Sequence, residues 1–329
     1  MAIDFDRVPE IEDVRAAYNR LKNTVRKTPL LESPLLNEAL GKRILVKAEC
    51  LQITGAFKFR GAWSALSSLS PEERSRGVLA FSSGNHAQAV AYAAALHETK
   101  ATIIMPQDAP ELKKANTAKY GAEVILYDRA GGEDREAIGQ AIAEERGSVL
   151  IKPYDNTQVI AGQGTCGLEI AEQAKALGIN DAEVLVCCGG GGLTAGIALA
   201  IAADAPDYHV KPVEPEHYDD VVESLASGSR QTINTTETSI CDAIVTPSPG
   251  ALTFPILKTH CAYGYTVTDN DALNAMKVAA ETFKLTAEPG GAVALAAALK
   301  QYKEINAETI ICVISGGNVD AAMLAKACA

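Results

Sequence analysis

Lys58 sits where an amine can be made reactive, between Phe57 and Phe59 within Thr54-Gly55-Ala56-Phe57-Lys58-Phe59-Arg60-Gly61-Ala62. Apolar flanks disfavour the ammonium form, and a neutral amine is what attacks a carbonyl. The same flanks also suit a lysine whose stem merely packs on aromatic rings. A second cluster, Ser82-Ser83-Gly84-Asn85-His86, follows an apolar run and opens a helical pattern. Free N–H groups and short polar side chains at such a turn hold a carboxylate, or simply cap the helix.

The third cluster is Gly189-Gly190-Gly191-Gly192-Leu193, directly after Cys188. Four successive glycines weaken helix and strand alike, so their backbone is expected to be approached closely. A phosphate cradled by N–H groups is one occupant, and a flexible turn is the plainer reading. The run is neither a P-loop nor a GxGxxG turn. Ser315-Gly316-Gly317-Asn318 ends the last apolar run, where a hydroxyl at a strand's carboxyl end points into a ligand crevice, or marks only a turn. Glu214-Pro215-Glu216-His217-Tyr218-Asp219-Asp220 reads as an acidic loop, suited to a hard divalent ion or to plain solvation.

The elements that must position these residues alternate. Apolar runs at Ile44 to Lys47, Val78 to Phe81, Ala101 to Met105, Glu123 to Tyr127, Val184 to Cys188 and Thr309 to Ile314 predict strands. Alanine-rich segments of helical period lie between them, at Asn85 to Leu96 and Gly191 to Ala203 among others. Such alternation indicates an α/β fold with mostly parallel sheets. Gly131, Gly132 and Glu133 mark a loop, and Ser224 to Ser239 reads as a polar surface connection.

The chain's 329 residues, 47% of them hydrophobic, are enough for two globular lobes with a large core. A formal charge of −11 argues against general affinity for nucleic acid or anionic membranes. No run approaches the roughly 18 apolar residues of a membrane span, and the acidic start does not resemble a signal peptide, so a cytoplasmic protein is expected. The eight cysteines form no CxxC pair and no Cys/His cluster, which favours buried reduced thiols and excludes a zinc or redox motif.

In this order the motifs resemble those of the fold-type II pyridoxal-phosphate enzymes, the family of serine/threonine dehydratases, serine racemase and 3-hydroxyaspartate dehydratases. The resemblance runs through Glu49 to Ala62, the SSGNH turn, Val159 to Thr165, the glycine run, Glu214-Pro215 and Ser315 to Asp320, nearly the whole chain. It implies a tryptophan-synthase-β-like α/β architecture of two open lobes. Residues 1–66 plus 157–329 would form a large cofactor-binding domain and 67–156 a small substrate-binding domain. It further implies a homodimer acting on a small hydroxy amino acid.

Site roles follow from the same resemblance. Lys58 would carry pyridoxal 5'-phosphate as a Schiff base, beside Phe57, with Ser83 as acid/base on the opposite face. Asn85 would meet the pyridoxal hydroxyl, Gly189 to Leu193 the phosphate, and Ser315 the ring nitrogen. A neutral hydroxyl there favours β-elimination over a long-lived carbanion. The substrate carboxylate would lie at Ser82, Ser83, Asn85 and His86. Arg135 would pair with a second carboxylate, or is otherwise an exposed helix arginine. The acidic segment becomes a Mg²⁺ or Mn²⁺ site formed by Glu214, the Tyr218 carbonyl and Asp220.

Ala56, Lys152 and Asp242-Ala243 depart from residues frequent among relatives, which bears on the substrate and not on the cofactor. No C-terminal regulatory domain is expected. The implied reaction is loss of water and ammonia from 3-hydroxyaspartate, or else from L-threonine or L-serine. A racemase with side elimination is the nearest alternative, and a non-catalytic amino-acid-binding protein a distant one.

Overall fold

The computed structural model describes residues 5–82, 84–109, 111–128 and 131–329. Among these the strands are β1 (Leu30–Glu32), β2 (Arg43–Ala48), β3 (Val78–Phe81), β4 (Ala101–Pro106), β5 (Glu123–Tyr127), β6 (Val149–Leu150), β7 (Ala182–Cys187), β8 (Tyr208–Pro215), β9 (Tyr265–Val267) and β10 (Thr309–Ile314). They form a six-stranded sheet, β1-β2-β10-β7-β8-β9, and a four-stranded sheet, β5-β4-β3-β6. Every pairing is parallel except the edge pair β1 and β2. Unbroken apolar runs explain the central positions of β7 and β10, which are buried at every residue, because helices cover both faces of a parallel sheet.

All six predicted runs are strands, within a residue or two at their ends. β8 was not anticipated, because Pro212 interrupts it. Its pairing with β9 begins only at Val213, so the proline sits where that edge is still open. The segment expected to be an acidic loop is the end of β8 plus the start of the helix Asp220–Ser227, and Glu214 and Asp220 are both fully buried. Ser224, expected in a surface connection, is buried in that same helix. Seven of the eight cysteines are buried free thiols, and Cys328 is exposed.

Lys58 opens the helix Lys58–Ser68, which packs on the long helix Thr157–Ala176. Contact there is backbone-close, since a Cβ on Gly162 would lie 2.6 Å from both the Arg60 carbonyl oxygen and Ser64 Cβ. The Val159 to Thr165 segment is therefore the seam against which the lysine helix is seated. The helix Asn85–Leu96 has the predicted bounds, and the helix after the glycine run is Gly192–Asp204. Both begin at carboxyl ends of parallel strands, where open α/β sheets form their crevice.

Candidate active site

A cavity of about 730 Å³ opens between the two sheets, and Lys58, Asn85, the glycine turn and Ser315 all line it. The Lys58 amine donates to the Pro153 carbonyl at 2.8 Å and lies 5.1 Å from the centroid of the Phe57 ring. Withdrawal from water lowers its pKa from 10.5 to about 8, although Cys187 and Glu288 pull it back up. The amine is thus nucleophilic near neutrality.

Its helix is anchored by charge. The Arg60 guanidinium, fully buried, donates to Glu49 at 2.8 Å and to Glu169 at 2.7 Å, while Lys47 donates to Glu169 at 2.6 Å. Two cations and two carboxylates neutralise one another out of contact with water, and Thr28 adds a hydroxyl to Glu49. The arginine beside the lysine is legible in the sequence. Its distant partners are not.

Asn85 is held from both sides, with its Nδ2 donating to Glu288 Oε1 at 2.6 Å and its Oδ1 accepting from Asn318 Nδ2 at 2.7 Å. These contacts fix the amide's orientation and leave one N–H for a ligand. Burial raises the Glu288 carboxyl to about 7, against the Asn85 hydrogen bond that lowers it. Glu288 and Asn318 were not among the expected site residues. Glu288 precedes Pro289 at the start of a helix, and so reads locally as a helix boundary.

His86 is buried, and its Nε2 meets the Ile151 carbonyl at 2.8 Å. A carbonyl only accepts, so Nε2 carries the proton. Burial and the nearby Lys58 charge lower the ring's pKa to about 3, so it stays neutral and Nδ1 keeps a bare lone pair with no protein partner. A carboxylate near His86 is therefore left to N–H groups at the helix start rather than to the ring. Ser82 lines the cavity and accepts from the Gly84 N–H at 3.2 Å, while Ser83 lies outside the described residues.

The glycine turn has neighbours of its own. A Cβ on Gly190 would lie 2.4 Å from the Tyr154 ring, and Gly191 has φ +88 and caps its helix without a side chain. First-turn N–H groups left uncapped by a side chain are suited to an anion. Ser315 is buried beside the cavity, where the Cys187 thiol donates to its hydroxyl oxygen at 3.1 Å. The occupied lone pair leaves the serine's own proton to be given to a ligand. Burial pushes the Cys187 thiol up to about 11, so it remains a neutral donor. A half-buried, partly deprotonated amine, an uncapped glycine turn and a hydroxyl donor together fit an aldehyde cofactor bearing a phosphate and a ring nitrogen.

Arg135 begins the helix Arg135–Arg146, lines the cavity, and sets its guanidinium 5.4 Å from the centroid of the Phe81 ring. Glu214 and Asp220 lie away from this cavity's lining. Glu214 accepts from the Val221 and Val222 N–H groups at 3.2 and 2.8 Å, whereas neither Asp220 oxygen has a protein partner. Burial raises the Asp220 carboxyl to about 7 and lifts Glu214 as well, the latter aided by Asp220. Orphaned oxygens on a buried acidic pair fit a cation, and the Tyr218 carbonyl belongs to the connecting turn. Among the described residues no group of three or more His, Cys, Asp or Glu side chains is arranged for a metal. A site here would depend on backbone oxygen and water.

A protein-family profile described as "Pyridoxal-phosphate dependent enzyme" matches residues 21–316. The chain is 47% identical to L-threo-3-hydroxyaspartate ammonia-lyase of Saccharomyces cerevisiae, over 95% of this chain and 94% of that one. It is 43% identical to serine racemase of Schizosaccharomyces pombe, over 95% of each. The crystal structure of the T.th. threonine deaminase superposes with a TM-score of 0.89 at 43% identity, covering 95% of this chain and 99% of that one.

Proposed function

Because the chain belongs to the pyridoxal-phosphate-dependent enzymes, we propose that it is an ammonia-lyase that removes water and ammonia from a small 3-hydroxy amino acid, 3-hydroxyaspartate ahead of L-threonine and L-serine. The observation that carries the reading is the half-buried Lys58 amine, its pKa lowered to about 8, facing a cavity it shares with Asn85, the glycine turn and Ser315. When bound, pyridoxal phosphate supplies an aldehyde for exchange of amines and a conjugated ring that takes up the electron pair of a broken Cα–H bond.

The chain's own residues do the rest. Lys58 Nζ, neutral in part at pH 7, would hold the cofactor's aldehyde and, when not bonded to it, is placed to take the Cα proton. Ser83 is assigned the proton on the other face, for the departing hydroxyl. N–H groups of Gly189 to Leu193 hold phosphate, the spare Asn85 N–H holds the ring hydroxyl, and Ser315 donates to the ring nitrogen with its oxygen already occupied by Cys187. Ser82 and the backbone N–H groups at Asn85 and His86 hold the substrate carboxylate. Arg135, near the Phe81 ring, faces a second carboxylate. One water leaves and one returns by hydrolysis, so the net change is a 2-oxo acid and ammonia.

The proposal extends to Mg²⁺ or Mn²⁺ held by Glu214, Asp220 and the Tyr218 carbonyl, which the unpartnered Asp220 oxygens support. It also takes residues 67–156, which contain the four-stranded sheet, as the small substrate-facing domain and the remainder as the large one. Incubation with each hydroxyaspartate diastereomer, L-threonine and L-serine is expected to release ammonia and 2-oxo acid in equal amounts. Ammonia from none of them would overturn the reading. Racemisation at the same Cα is the second reading, favoured by the serine racemase relative, and chiral analysis of leftover substrate separates the two.

A further inference from the structure

We propose that Lys113 joins Arg135 in binding the second carboxylate of a dicarboxylic substrate, and that Asp242 is a built-in stand-in anion which this carboxylate displaces from the lysine. The inference rests on the dicarboxylate reading above and adds the residues that select for it. Lys113 belongs to the helix Glu111–Lys119, beside the four-stranded sheet, and Asp242 to the segment that passes the glycine turn. Both line the cavity, and their side chains join at 3.0 Å, Nζ to Oδ2.

The two partners are unequal. The Lys113 side chain is 18% exposed and the Asp242 side chain 60% exposed. A covered cation stays in place, whereas an aspartate already mostly in water can swing out at little cost. Their charges also reach the cavity floor, where Lys113 pulls the buried Glu288 carboxyl down and Asp242 pushes it up. Besides Arg135, already assigned to this carboxylate, two more cations lining the cavity are engaged elsewhere. Lys152 pairs with Asp6, and Arg230 gives Nε and one amino group to the Pro249 carbonyl. Lys113 already holds a carboxylate at the cavity itself.

Displacement exchanges one ion pair for another, so the lysine is never left bare. A substrate carrying a second carboxylate supplies the replacement anion. Serine and threonine carry none, so with them the Lys113–Asp242 pair stays closed. Asp242 thus competes with dicarboxylates and is indifferent to the monocarboxylic hydroxy amino acids.

The test uses the holoenzyme and its Lys113→Met and Asp242→Asn variants, with kcat/KM measured for 3-hydroxyaspartate and L-serine. Binding of unreactive succinate and propionate is measured alongside by calorimetry. Lys113→Met is expected to lower the hydroxyaspartate-to-serine ratio by about tenfold or more and to weaken succinate comparably, as for loss of a charge-assisted contact, with propionate little changed. Asp242→Asn is expected to tighten succinate by roughly two- to fivefold, the range of an exposed ion pair. Lys113→Arg is expected to restore most of the ratio.

An unchanged ratio in Lys113→Met, or weaker succinate binding in Asp242→Asn, overturns the inference. So does succinate binding that Arg135→Met abolishes and Lys113→Met leaves intact. A wild type that ignores hydroxyaspartate, yet loses succinate affinity with Lys113→Met, upholds the ligand assignment and overturns only the substrate reading.

Discussion

Titrating Lys58 in cofactor-free protein tests the centre of the site directly. With its pKa lowered from 10.5 to about 8, its amine is about one-quarter neutral at pH 7.5, against about one-thousandth for an ordinary lysine. Capture of pyridoxal phosphate should therefore be roughly two hundredfold faster than an unperturbed amine of equal reactivity allows. Stopped-flow absorbance between pH 6 and 10, divided by the rate constant of neutral butylamine at each pH to cancel the cofactor's own titration, is expected to rise about tenfold per pH unit and level off above about 8. Glu288 raises the Lys58 pKa, so Glu288→Gln should move the inflection lower.

The same shift has a stability sign. A lysine whose folded pKa lies below its unfolded value binds fewer protons when folded between about 8 and 10.5, so it destabilises the apoprotein below pH 8 and the penalty fades as pH rises through that window. Lys58→Met should stabilise the apoprotein at pH 7 by about 2 kcal/mol, allowing for the part of the side chain open to the cavity. A capture rate still climbing at pH 10, or an inflection moved upward by Glu288→Gln, would refute the argument from burial.

Arg60→Met should cost about 3–5 kcal/mol, read as a lowered urea midpoint, because it strands Glu49 and Glu169 with only Lys47 for charge; a loss under about 1 kcal/mol would count against the network. Gly190→Ala should weaken cofactor affinity by pushing on the Tyr154 ring, and Tyr154→Ala should recover part of it; no recovery would mean the glycine is required by the ligand alone. Mg²⁺ returned to chelator-treated protein should raise its melting temperature, and Asp220→Ala should abolish the increment; equal increments would remove Asp220 from the site. Emission from Trp63, whose ring centroid lies 4.3 Å from that of His97, should stay constant from pH 9 to 7 and be quenched only below the ordinary histidine value of 6.5, because burial and Arg74 lower the His97 pKa.

The parts of the site legible in the sequence are those written in contiguous residues. Lys58 has its aromatic flanks, and the glycine turn and Ser315 follow apolar strands whose carboxyl ends form a crevice by topology alone. Residues that act through distant contacts were not legible. Glu288 meets Asn85 across 203 positions and Asn318 meets it across 233, and no local pattern encodes either contact. Burial of Glu214 and Asp220 was hidden for another reason. Clustered acids and a proline imitate a solvated loop, whereas Glu214 lies in β8 opposite Thr266 of β9 and Asp220 opens the helix that follows, both under the surface.

The pairing of β2 with β10 has a consequence for how the molecule is made. Arg43 lies opposite Thr309, so a strand that leaves the ribosome early waits for nearly the last one before its open edge is covered. Arg60 likewise meets Glu169 only after 109 further residues have been added. Closing such long loops is slow, and an uncovered strand edge is a template for pairing with other chains. Chains cut short before Thr309 should therefore aggregate through β2, and chaperone dependence should end when β10 emerges.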